Sequence, residues 1–184
     1  MDGNSETYTI RIVDSNTPIG CWMFKQVWTR AMAFVDKYNT LTDKPTLSDL
    51  LSRSWIYSST DVLVLAGYDK CEKVVAHLIA QVQCIGGHSY AMVMQVEADE
   101  GSADILAKGG LILQDWIHKK SLKGFADLAL SEAAARLWTM KYKAKTVGWL
   151  QLGSATDLGG EGIVDGRAQL SPEGKEAAEE ISQP

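Results

Sequence analysis

With 184 residues, 46% of them hydrophobic and 22% charged, the chain has the size and composition of one globular domain with an appendage. A net charge of −5 and the lack of a dense Lys/Arg block argue against nucleic acid or an anionic membrane as the main ligand. No apolar run approaches the ~20 residues of a membrane span, and the polar start MDGNSETYTI lacks a signal-peptide pattern, so a cytoplasmic protein is expected.

The elements follow in chain order. Tyr8-Thr9-Ile10-Arg11-Ile12-Val13 alternates and is β-branched, which predicts a first strand. Asp14-Ser15-Asn16-Thr17-Pro18 is turn chemistry. Over 21–38, Trp22, Phe24, Val27, Trp28, Met32 and Val35 recur at helical spacing and predict a long amphipathic helix. Thr46 is placed as the N-cap of a short second helix carrying Leu47, Leu50 and Leu51 on one face.

Three strands are predicted next, over 61–67, 73–84 and 90–97, joined by short polar or glycine-containing loops that imply antiparallel hairpins. A helix is expected over 102–120, with Gly109-Gly110 counting against it at about 1 kcal/mol per glycine relative to alanine. A short strand over 125–130, a helix over 131–142 and one closing strand over 145–152 complete the domain. The predicted organisation is thus a domain over 1–152 and a glycine- and acid-rich tail over 153–184. Within the tail, Ser171-Pro172-Glu173 opens a marginal helix near 171–182.

The order strand, helix, helix, three antiparallel strands, helix, strand, helix, strand resembles the GNAT (N-acetyltransferase) superfamily over about residues 8–152. That α/β (α+β) fold has a central, mostly antiparallel sheet flanked by helices. Ser131-Glu132-Ala133-Ala134-Ala135-Arg136-Leu137-Trp138 is similar to the family's N-x-x-A-x-x-L-Y helix, and Val147-Gly148-Trp149 to the start of its final strand.

The family places Arg/Gln-x-x-Gly-x-Gly/Ala after the fourth strand, so that bare backbone at a helix N-terminus cradles the pyrophosphate of CoA. This chain has Glu97-Ala98-Asp99-Glu100-Gly101-Ser102-Ala103-Asp104 there, with one glycine, no cation and four acids. Like charges at that range oppose a diphosphate by about 1 kcal/mol each when solvated. The bland role for these acids is to stabilise the following helix N-terminus. The family's proton-donating tyrosine falls on Trp138, whose indole is no acid near neutral pH.

Two functional classes stay open. The resemblance, with its cofactor motif degraded, implies a non-catalytic interaction protein without cofactor, of the kind found among bacteriophage structural proteins and located in the cytoplasm or a virion. Its partners are other protein subunits of a larger assembly, and Leu170, Ala177 and Ile181 in the tail are the apolar positions offered to them. The alternative is a divergent acetyl-CoA-dependent N-acyltransferase, with Glu97 as base, Tyr142 as a register-shifted acid, and Val96 and Gly101 at the cofactor.

The remaining constellations point elsewhere only weakly. Cys21, Cys71 and Cys84, odd in number and widely spaced, predict buried free thiols in a reducing compartment. A nucleophile pairing of His77 with Cys84 is opposed by their parity, which sends them to opposite faces of one strand. His77, His88 and His118 fall in no metal-ligand spacing, so no metal is expected. The six tryptophans read mostly as core, with an excess that suits an interface.

Overall fold

The structure, a computed structural model, describes residues 9–38, 48–49, 51–52, 61–99, 105–128, 139–140, 142–147 and 150–158. Its strands are β1 (Thr9–Ile12), β2 (Val62–Tyr68), β3 (Val74–Ile85), β4 (His88–Ala98), β5 (Phe125–Leu128), β6 (Lys145–Val147) and β7 (Leu150–Gly153). Helix α1 (Pro18–Tyr38) follows β1, and α2 (Ile105–Lys119) follows β4. The strands form one mixed sheet in the order β1-β2-β3-β4-β5-β7-β6. By contacts the chain divides into one unit of Met1–Ile79 with Gln95–Ile105 and another of Ala80–Met94 with Leu106–Pro184, and β3 and β4 run through both.

In the first unit β1 pairs antiparallel with β2, Thr9 opposite Tyr68 and Ile12 opposite Leu65. Helix α1 begins earlier than residue 21 because Thr17 caps it: Oγ1 of Thr17 accepts from the Gly20 N–H at 3.0 Å and donates to the Asp14 carbonyl at 3.0 Å. Pro18 then takes the first helical position, where its missing N–H costs nothing. The helix buries Met23, Phe24, Val27, Ala31 and Val35, and β2 buries Leu63, Val64, Leu65 and Ala66; of the positions expected on the apolar face of α1, Phe24, Val27 and Val35 are buried, Trp28 and Met32 half-buried and Trp22 exposed. Ser48, Asp49, Leu51 and Ser52 are helical with Leu51 fully buried, where the second helix was expected; the rest of that element lies outside the described residues.

In the second unit β3 turns into β4 through Gly86 and Gly87, both at positive φ (58° and 83°), a two-residue turn whose twist matches antiparallel strands. β4 pairs in parallel with β5 over Ala91–Phe125, Met92–Ala126 and Val93–Asp127. Tyr90, Met92 and Ala126 form a core cluster against which Ile85, Met94, Leu150 and Leu152 pack. Helix α2 runs through Gly109 and Gly110, both buried, while Leu113 and Ile117 are fully buried below them. Burial of this apolar face, at about 1.5–3 kcal/mol per large side chain, outweighs the glycine penalty.

The closing strand expected over 145–152 is instead two antiparallel strands, β6 and β7, with Val147 opposite Leu150. Gly148 and Trp149 stand between them in sequence. Folded chain also continues past the expected boundary at Leu152: Gly153 closes β7, and the 3-10 turn Ala155–Asp157 is followed by Leu158, 1% exposed.

Candidate functional site

The chemistry-bearing side chains of the first unit meet where α1 crosses the start of β3 and the end of β4. Gln26 and Arg30 stand one turn apart on α1, hence on one side of the helix, and both reach β3. The Val74 N–H donates to Gln26 Oε1 at 2.9 Å, and Arg30 donates from Nη1 to the Val74 carbonyl (3.3 Å) and from Nη2 to the Val75 carbonyl (3.2 Å). Gln95, Glu97 and Asp99 alternate at the period of a strand, which puts them on one face of the β4 end.

Arg30 closes on that face. Its Nη2 donates to Glu97 Oε2 at 3.1 Å and to Asp99 Oδ1 at 2.9 Å, with the guanidinium side chain 18% exposed. The Asp99 N–H donates to the Val75 carbonyl at 2.8 Å, so β4 is tied to β3 at the same point. Two carboxylates share one cation, and Arg30 Nε lies buried without a partner.

Behind the clamp lies His77, fully buried on β3. Gln95 donates its amide to the Ala31 carbonyl at 3.3 Å, which turns Oε1 towards the imidazole; His77 Nε2–H donates to that oxygen at 2.6 Å. Nδ1 has no hydrogen-bond partner and stands 3.5 Å from Glu97 Oε2. Burial pushes the imidazole pKa down from 6.5 to about 4, partly offset by the bond to Gln95, so His77 is neutral at pH 7.

Glu97 is therefore an ion-pair partner of Arg30, and Val96 beside it is half-buried. Tyr142 lies in the second unit, in a bend two residues after the π-helical Thr139 and Met140 and before Lys143, whose φ is +54°, and it is 1% exposed. Gly101, Trp138 and the tail positions Leu170, Ala177 and Ile181 lie outside the described residues. The expectation of buried thiols fails: Cys71 and Cys84 are exposed, at the loop before β3 and near its far end, and Cys21 is half-buried with its S–H donating to the Ser15 carbonyl at 3.0 Å. With His77 buried and Cys84 exposed, neither environment suits a nucleophile–base pair. Sequence reading missed Arg30, Gln95 and Asp99 as members of one cluster.

The tryptophans also depart from a purely core role. Trp22 is 46% exposed, and Trp28 and Trp116 are half-buried. Trp22 and Trp28 line an open cleft on α1 with Pro18, Cys21, Phe24, Lys25 and Thr29, and Ile12 and Ile19 are exposed on β1 and α1. Among the described residues no group of His, Cys, Asp and Glu is arranged to hold a metal ion, and no helix is long and apolar enough to cross a membrane.

Several solved structures of acetyltransferases are similar in fold. The N-acetyltransferase of Staphylococcus aureus Mu50 superposes with TM-score 0.51 at 9% identity, covering 82% of this chain and 99% of that one. AtaTR bound with AcCoA gives 0.51 at 11%, covering 79% and 91%. An acetyltransferase of Trypanosoma brucei gives 0.50 at 10%, covering 72% and 89%. The fold is that of the GNAT acetyltransferases. No family model matches the chain, and no curated protein matches it by sequence. At such identities the likeness concerns the GNAT fold alone, and activity has to be argued from the side chains.

Proposed function

We propose that this GNAT-fold chain works by binding other proteins rather than by acetyl transfer. The observation that carries the reading is the state of Glu97. The one carboxylate at the place where the resemblance puts a base is held by Arg30, which also holds Asp99. Tyr142, the substitute acid, is buried, with 1% of its surface exposed. Exposed Ile12, Ile19 and Trp22 supply apolar surface of the kind protein interfaces use.

Acetyl-CoA is a poor fit to the end of β4. The single guanidinium there is already shared by two carboxylates, and the sequence adds Glu100 and Asp104 without a further cation. A diphosphate brought to this place meets net negative charge. The reading accords with the resemblance to GNAT-like structural proteins of bacteriophage, whose partners are other subunits of an assembly.

A second reading, a divergent acetyl-CoA-dependent N-acyltransferase, is favoured by the fold it shares with AtaTR bound with AcCoA. A thermal-shift titration with acetyl-CoA, repeated by calorimetry, separates the two. Ligand at a hundredfold excess over its dissociation constant stabilises a native state by about 2.7 kcal/mol. No rise in melting temperature and no heat at millimolar acetyl-CoA are expected; a clear rise replaces the first reading with the second.

A further inference from the structure

We infer that His77 and Glu97 form an acid-operated latch, in which a proton taken up at His77 Nδ1 draws Glu97 away from Arg30 and so loosens the tie between α1 and the end of β4. This goes beyond the binding-protein reading and does not depend on it.

The geometry fixes where the proton goes. Gln95 donates to the Ala31 carbonyl, so only its Oε1 faces the ring, and His77 Nε2 must carry a hydrogen to bond it at 2.6 Å. That leaves Nδ1 as a bare lone pair, fully buried, without a partner and 3.5 Å from a carboxylate oxygen. Lone pair against carboxylate is an unfavourable contact, and one proton from solvent converts it into an imidazolium–carboxylate hydrogen bond. The contact that gives way is the one between Glu97 and Arg30.

The charges around the ring show what the proton changes. Those facing His77 are Arg30 from α1 and Glu97 and Asp99 from the end of β4; Gln95 is the neutral neighbour. One guanidinium against two carboxylates leaves a deficit of one positive charge, which the imidazolium fills. Glu97 Oε2 is then divided between Arg30 Nη2 and His77 Nδ1, while Arg30 keeps Asp99 Oδ1 and the carbonyls of Val74 and Val75. Because burial holds the imidazole pKa down, the latch works in acid and stays set at neutral pH.

Nitrogen NMR of the intact chain tests this. At neutral pH the His77 ring is expected as the Nε2–H tautomer with Nδ1 bare, and a proton on Nδ1 instead would overturn the inference. On acidification the Arg30 guanidinium resonances are expected to shift with the same midpoint as His77. Arg30 resonances that stay still through that midpoint would show a titrating histidine without a latch. In Glu97→Gln the midpoint of His77 is expected to fall by about one pH unit, since an opposite charge at this range favours the charged form. An unchanged or higher midpoint counts against the pairing, and if this variant does not fold, the two wild-type readouts decide.

Discussion

Lowering the pH from 7 to 4 is expected to cost the protein a measurable part of its stability through His77 alone. In the unfolded chain the imidazole binds a proton around its ordinary pKa of 6.5; in the native chain it does so only near about 4. Between those values the unfolded state carries a proton that the folded state refuses. Stability from this group is therefore complete above pH 6.5, falls as the pH falls through the window, and levels off below about 4. The gap of about 2.5 pH units, at 1.36 kcal/mol per unit, amounts to about 3 kcal/mol. That is a large fraction of the roughly 5–15 kcal/mol by which domains are stable. Urea unfolding of the wild type and of His77→Gln, at steps between about pH 7.5 and 3.5, isolates it. His118, whose pKa burial also lowers, contributes to both proteins and cancels in the difference. The wild type should lose about 3 kcal/mol more than the variant across the window; parallel stability curves would refute the claim that His77 is held neutral by burial.

Two further outcomes are expected. Arg30→Met leaves Glu97 and Asp99 without their cation and the Val74 and Val75 carbonyls without their side-chain donor, so urea unfolding at pH 7 should show a loss of about 2 kcal/mol or more. A loss under about 0.5 kcal/mol would class the cluster with ordinary surface ion pairs. Gly153→Ala sets a methyl group into the ring of Phe125, which is fully buried, so a loss of about 1–3 kcal/mol is expected from thermal or urea unfolding.

Much of the fold is legible because local chemistry and tertiary packing agree. The hairpin of β3 and β4 is marked by Gly86-Gly87, the two residues that must adopt positive φ, and the alternation on either side sets the strand ends to within a few residues. Where local signals compete, the reading slips. Thr17-Pro18 serves equally as turn chemistry and as cap plus first helical residue, and only the bond from the Gly20 N–H shows that it is the latter. KTVGWLQL reads as one run of strand formers, whereas Val147 and Leu150 are antiparallel register partners on two strands.

The cluster was legible only in part. Strand parity puts Gln95, Glu97 and Asp99 on one face, but their partner Arg30 lies 67 residues before Glu97, and no periodicity carries information across such a gap. The fully buried His77 could not be told from any other strand residue without knowing that Gln95 is turned towards it by the Ala31 carbonyl.

The acidic stretch that begins at Asp99 bears most directly on the binding-protein proposal. Read as sequence, its acids serve the N-terminus of the following helix. In the structure Asp99 acts elsewhere, since its carboxylate completes the Arg30 clamp and its N–H ties β4 to β3. Giving the β4 end more phosphate-binding character therefore takes more than removing acids. Replacing Asp99 returns Arg30 wholly to Glu97 and strengthens the pair that occupies the candidate base. Replacing Arg30 frees Glu97 but removes the only cation of the cluster and leaves two carboxylates side by side. Each single change that moves the β4 end towards one requirement of acetyl transfer moves it away from the other. On the binding-protein proposal, a chain with this ionic arrangement keeps the fold as a scaffold, and its selectable chemistry lies in what its surface binds.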